Sequence, residues 1–120
     1  MLKFYEGFTL LLNKVLITGS SGFIGFHLSN LFLKNNYKVC GIDSMTDYYD
    51  VNLKKDRKKI LLKNKNFFQF DSDIENFSNL EEIVSNFKPN LVVHLAAQAG
   101  VRYSLENPKA YVDTNIIGTF

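Results

Sequence analysis

A chain of 120 residues with 46% hydrophobic and 22% charged residues has the composition of one folded domain with a modest core, not of a disordered segment. A net charge of +2 is too small to argue for nucleic acid or a membrane surface as partner, and no apolar run approaches the roughly 20 residues that cross a bilayer. Cys40 is the only cysteine, so no internal disulfide can form, which fits a cytoplasmic setting.

Residues 1–13 read as an irregular extension. Phe8-Thr9-Leu10-Leu11-Leu12 is apolar but short for a secretory segment, and no small-residue cleavage site follows. Lys14 to Thr18 is a short apolar run suited to a strand buried on both faces. Phe23 to Asn35 has helical periodicity, with Ile24, Leu28, Leu31 and Phe32 as the expected buried stripe. Lys38 to Asp43 is a second strand ending on an acid, and Cys40 within it reads as an inert core thiol. Ser44 to Asp50 is a loop. Val51 to Lys63 is a second helix, whose run Lys54-Lys55-Asp56-Arg57-Lys58-Lys59 reads as a solvated face. Phe67 to Phe70 is a third strand. Ser78-Asn79-Leu80-Glu81 has the form of a capping box, opening a helix that runs to about Phe87. Pro89-Asn90 breaks it, and Leu91 to Leu95 is a fourth strand. Asn107-Pro108 starts a further helix, a cap followed by proline in the first turn. Strands alternating with helices predict an α/β domain with a parallel sheet and right-handed crossovers.

Thr18-Gly19-Ser20-Ser21-Gly22-Phe23-Ile24-Gly25 sits between the first strand and the first helix. Glycines three apart have distinct uses there. Gly19 lets the chain turn tightly, Gly22 leaves room for a pyrophosphate against the backbone, and Gly25 lets the helix pack closely. The free N–H groups and dipole of the new helix then face the phosphates. Asp43, at the end of the second strand, can accept hydrogen bonds from a ribose diol. It would repel a 2′-phosphate, so NAD is expected over NADP.

Three further stretches lie where ligands bind in open α/β sheets. Asp73-Ile74 follows the third strand and could meet an adenine amino group and ring. Asp71 competes for that role, and a plain turn acid is the alternative. His94-Leu95-Ala96-Ala97 ends the fourth strand, with small residues that let a cofactor lie close. His94 itself reads as a strand-end histidine satisfied by backbone, because no acid or nucleophile lies nearby to make it a triad member. Neither His94 nor His27 has metal-ligand spacing, so no metal is expected. Arg102, in the loop from Gln98 to Ser104, could hold a phosphate or carboxylate, or could simply be a surface arginine.

At these residues the chain resembles the extended short-chain dehydrogenase/reductases, the NAD-dependent epimerase/dehydratase family. Asp47-Tyr48-Tyr49-Asp50-Val51-Asn52-Leu53, with His94 to Ser104 and Asn107-Pro108 to Thr119, is similar to the UDP-glucuronate 4-epimerase branch. The resemblance covers Lys14 to the end. It implies part of a doubly wound Rossmann sheet with strand order 3-2-1-4, stopping before the later strands. It implies bound NAD+ that takes hydride from C4 of UDP-glucuronate and returns it to the opposite face of a 4-keto sugar, giving UDP-galacturonate. Carried over by residue, it implies a cofactor site of Gly19, Ser21, Gly22, Phe23, Ile24, Gly25, Asp43, Asp73, Ile74, Leu95, Ala96, Ala97 and Asn115. Gln98 and Arg102 would face the nucleotide-sugar substrate, and the full-length form would be a homodimer.

One departure matters. The family's chemistry uses a serine or threonine and a Tyr-x-x-x-Lys pair, in which the lysine lowers the tyrosine pKa. No tyrosine here is followed four residues later by lysine. No catalytic residue is therefore assigned, and the expectation is an inactive cofactor-binding half of a longer enzyme. An open sheet edge and uncovered apolar face would make it poorly soluble or self-associating. The alternatives are a non-catalytic NAD-binding module and a nucleotide-sugar dehydratase or decarboxylase of the same superfamily.

Overall fold

The computed structural model describes residues 13–120, so the expected extension lies almost wholly outside the described residues. Strands β1 (Lys14–Thr18), β2 (Lys38–Asp43), β3 (Phe67–Asp71) and β4 (Leu91–His94) form one parallel sheet in the order β3-β2-β1-β4. In register, Leu16 lies beside Cys40 on one side and Val92 on the other. β1 can sit at the centre because its residues Val15 to Thr18 are all buried.

Successive residues of a strand point to opposite faces, and the core divides accordingly. Val15, Ile17, Val39 and Phe67 pack with Leu33 of α1 (Phe23–Lys34) and Leu61 of α2 (Val51–Leu62). Leu16, Cys40 and Ile42 pack on the other face with Ile74 and with Ile83 of α3 (Phe77–Phe87). Helices thus lie on both faces, as in a doubly wound sheet, without covering the edge strands fully. After β4 come two short helices, α4 (Tyr103–Glu106) and α5 (Pro108–Tyr111), and a π-helical stretch, Val112–Ile117. β3 and β4 are the sheet edges, and Leu91 and Val92 of β4 are exposed.

Three local expectations need correction. The buried stripe of α1 is Gly25, Ser29 and Leu33, with Leu28 and Phe32 half-buried, while Ile24 and Leu31 are 64% and 58% exposed. Small residues face the sheet because the helix must run close to it, and two large apolar residues are turned out. The cap of α3 lies two residues before the expected one: the Asn76 side chain accepts from Asn79 N–H at 3.2 Å, and Ser78 lies inside the first turn. Asparagine caps as well as serine, and this start brings Leu80, Ile83 and Phe87 to the core. The stretch read as a loop to Ser104 already turns helical at Tyr103.

Cys40 is fully buried, and desolvation pushes its thiol up to about 12 from 9.0. That agrees with an inert core residue.

Candidate nucleotide-binding site

The chain runs β1, β2, β3 outward in one direction and then returns to place β4 on the other side of β1. A crevice therefore opens beyond the carboxyl ends of β1 and β4, where the strand order reverses. Gly19 leaves β1 with φ 74°, a left-handed conformation suited to glycine, and its N–H donates to the Ile42 carbonyl at 2.7 Å. Gly22 N–H donates back to the Gly19 carbonyl at 3.0 Å. A β-carbon on Gly25 would stand 2.0 Å from that same carbonyl oxygen, so the first turn of α1 can rest on the turn only because residue 25 has none.

α1 begins without a cap. Gly22 supplies no side chain and the first turn holds no acid. The N–H groups of Phe23, Ile24 and Gly25 precede the first bond that the helix can make within itself. They face a cleft of about 740 Å³ that Gly19, Gly22, Phe23, Ile24 and Gly25 line. Unsatisfied donors and the positive end of the helix dipole make that wall a site for an anion.

The second wall comes from β2. Asp43 lies 96% buried beside the turn. One oxygen, Oδ2, accepts from Ser21 N–H at 3.0 Å. The other, Oδ1, accepts from Met45 N–H at 2.9 Å and from Lys54 Nζ at 3.0 Å. Lys54, on the first turn of α2, is itself buried and lines the cleft, with its ammonium 5.2 Å from the centre of the Tyr49 ring. The run read as a solvated face is thus only partly so. Arg57 donates to the Ser21 carbonyl at 3.2 Å and lies over the Phe23 ring, while Lys58 pairs with Asp71 at 2.6 Å. Lys55 and Lys59 are exposed as expected. The helix approaches the strand ends at its amino-terminal half, so its inward face there meets carboxylates and carbonyls rather than core.

The third wall is the end of β4. The Thr18 hydroxyl oxygen accepts from Leu95 N–H at 3.0 Å and Ala96 N–H at 3.1 Å, and lies 2.7 Å from His94 Nδ1. With both lone pairs accepting, the hydroxyl proton must go to Nδ1. His94 is therefore the Nε2–H tautomer, and that nitrogen donates to Thr119 Oγ1 at 3.0 Å. The expectation of a histidine satisfied by backbone is corrected in its partners, which are two threonine hydroxyls.

Most of the expected site residues come together. Besides the residues of the turn, Asp43, Asp73, Ile74, Leu95, Ala96, Ala97 and Gln98 line the same cleft. Asp71 is engaged by Lys58 and by Gln69 Nε2 at 3.1 Å, and of the two competing acids only Asp73 lines the cleft. Three residues do not line it. Ser21 is buried beneath the turn, where its hydroxyl donates to Gln69 Oε1 at 3.1 Å. Asn115 grips the Gln98 backbone on both sides, accepting from its N–H at 2.8 Å and donating to its carbonyl at 3.0 Å. Arg102 is exposed at the start of α4. Reading the sequence missed Lys54, Tyr48 and Tyr103, which also line the cleft. The Tyr48 and Tyr103 rings lie 5.2 Å apart and share the rim. No group of three or more metal-ligating side chains occurs among the described residues, and no described helix is long and apolar enough to cross a membrane.

The family model described as GDP-mannose 4,6 dehydratase matches residues 16–120. The chain belongs to that family. Its members are NAD-dependent epimerases and dehydratases. Protein CapI of Staphylococcus aureus is 50% identical over 105 residues, and a probable UDP-glucuronate 4-epimerase of Rhizobium meliloti is 47% identical over 107 residues. These matches cover 88% and 89% of this chain but 31% of each relative, so the chain spans about a third of the length of the curated relatives it matches. A UDP-glucuronic acid 4-epimerase from Bacillus cereus, solved with UDP-glucuronic acid and NAD, superposes with a TM-score of 0.80 at 38% identity. That match covers 88% of this chain and 33% of that one. The parallel sheet of order 3-2-1-4 in this chain is Rossmann-like.

Proposed function

We propose that the chain is the NAD-binding part of a nucleotide-sugar epimerase that converts UDP-glucuronate to UDP-galacturonate. The observation that carries the reading is the uncapped start of α1 opposite a buried carboxylate, both on one cleft. A dinucleotide fits these residues. The amides of Phe23, Ile24 and Gly25 would hold the pyrophosphate, where Gly22 leaves the approach open. Asp43 would accept from the adenosine ribose, and Asp73 and Ile74 would meet the adenine. Leu95, Ala96 and Ala97 would floor the remainder, and Asn115 acts through Gln98 by fixing its backbone. When bound, NAD+ supplies the hydride acceptor for the sugar C4. The residues of this chain bind and orient it.

Gln98 and Arg102 are proposed to face the sugar nucleotide. The choice of UDP-glucuronate rests on the similarity of the Asp47 to Leu53 and His94 to Ser104 stretches to that branch, together with the relatives above. A homodimeric full-length form in the cytoplasm belongs to the same proposal. So does inactivity of these 120 residues alone, which contain no Tyr-x-x-x-Lys pair.

Gly22→Val tests the reading. Residue 22 has φ −71° and ψ 173°, which valine tolerates, and its β-carbon would meet only the Gly19 carbonyl at 3.1 Å. The variant should fold, fill the phosphate approach and bind NAD+ at least about tenfold more weakly by calorimetry, a loss of roughly 1.4 kcal/mol. Equal affinity would remove the pyrophosphate assignment. Incubation of the full-length protein with UDP-glucuronate, with the product resolved by chromatography, tests the substrate.

A further inference from the structure

The geometry points to Lys54 as a specificity-determining residue of the ribose site, a role that rests on the cofactor reading above. An ionised carboxylate offers about four acceptor positions. Asp43 already fills three of them, with Ser21 N–H, Met45 N–H and the Lys54 ammonium. One position, on Oδ2, remains, and a ribose diol brings two hydroxyls. Asp43 cannot accept from both without releasing a present partner.

Lys54 removes the difficulty. Its ammonium carries three donors, of which Asp43 takes one, and the face of Tyr49 lies against the cation. The side chain is 8% exposed and lines the cleft next to Asp43. One ribose hydroxyl can donate to Asp43 Oδ2 while the oxygen of the other accepts from Lys54. The pair, not the acid alone, then reads the diol.

A consequence follows for a 2′-phosphate. In the intact pair the carboxylate offsets the ammonium, and the pair presents no net charge to an anion. Replacing the carboxylate by an amide of the same shape leaves a buried cation beside the 2′ position. Asp43→Asn should therefore shift preference towards 2′-phosphorylated ligands, and Lys54 should be the reason.

The test is calorimetric titration of the chain with NAD+, NADP+ and 2′,5′-ADP, with circular dichroism melting of each variant. The unaltered chain should prefer NAD+. In Asp43→Asn the ratio of NADP+ to NAD+ affinity should rise at least tenfold, and 2′,5′-ADP should bind. Asp43→Asn/Lys54→Met should lose that gain, and Asp43→Asn/Lys54→Arg should keep it. A second readout needs no substitution: bound NAD+ should protect Lys54 from amine acylation, followed by mass spectrometry of its peptide. An unchanged ratio in a folded Asp43→Asn variant, or a gain that survives Lys54→Met, overturns the role of Lys54 alone. If Asp43→Asn does not fold, acylation of Lys54 that NAD+ leaves unaffected overturns it. Failure of the unaltered chain to bind any of the three ligands overturns the cofactor reading and this role with it.

Discussion

Replacing Thr18 by valine preserves shape and removes one hydroxyl, and three groups lose a partner. Leu95 N–H keeps the Thr18 carbonyl at 3.2 Å, so its loss is partial. His94 Nδ1 belongs to an exposed residue and can turn to water. Ala96 N–H is the group left without a partner. An unsatisfied amide of this kind costs about 1–3 kcal/mol, so the whole substitution should cost about 2 kcal/mol. Unfolding entropy of about 2.1 cal/mol/K per residue gives about 0.25 kcal/mol/K for a chain of this length, and hence a fall of about 8 °C in Tm. Circular dichroism melting of Thr18→Val measures it, and Thr18→Ser, which keeps the hydroxyl, should restore most of the loss. Nitrogen NMR of His94 should find Nε2 protonated in the parent chain. A Thr18→Val chain that melts within about 2 °C of its parent, or a parent protonated at Nδ1, refutes the reasoning.

Gly25→Ala should be far more damaging than its size suggests. The added carbon would lie 2.0 Å from a backbone oxygen, so the turn must open, at about 3 kcal/mol by the scale of overpacked sites; chemical denaturation reads the loss. Cys40 should stay unmodified by a thiol reagent at pH 8 until denaturant is added. Its pKa is raised to about 12 in the fold, so the unfolded chain ionises first. Stability should fall as pH rises from 9.0 towards 12, and Cys40→Ala should flatten part of that slope.

Periodicity and punctuation made the framework legible. The four strands and three main helices lie within a residue or two of where apolar runs and breakers place them. The turn and Asp43 were legible together because the βαβ unit fixes the second strand's end beside the first. What sequence did not show was rotation and pairing. Hydrophobicity alone assigned Ile24 and Leu31 to the inner face of α1, whereas close approach to the sheet selected Gly25 and Ser29. Lys54 looked like any other member of a charge run, because nothing local marks which lysine meets a carboxylate from another element. Thr18 and His94 are 76 residues apart, and only the register of β1 with β4 joins them.

The cations of α2 are graded in depth. Lys58 and Arg57 are both half-covered, one on the exposed Asp71 and the other on the Ser21 carbonyl, and Lys54 and Asp43 are enclosed. Dissolved salt weakens exposed pairs and scarcely reaches enclosed ones. Rising ionic strength should therefore weaken the Lys58–Asp71 contact first and Lys54–Asp43 last, while Leu61 keeps the far end of the helix seated in the core.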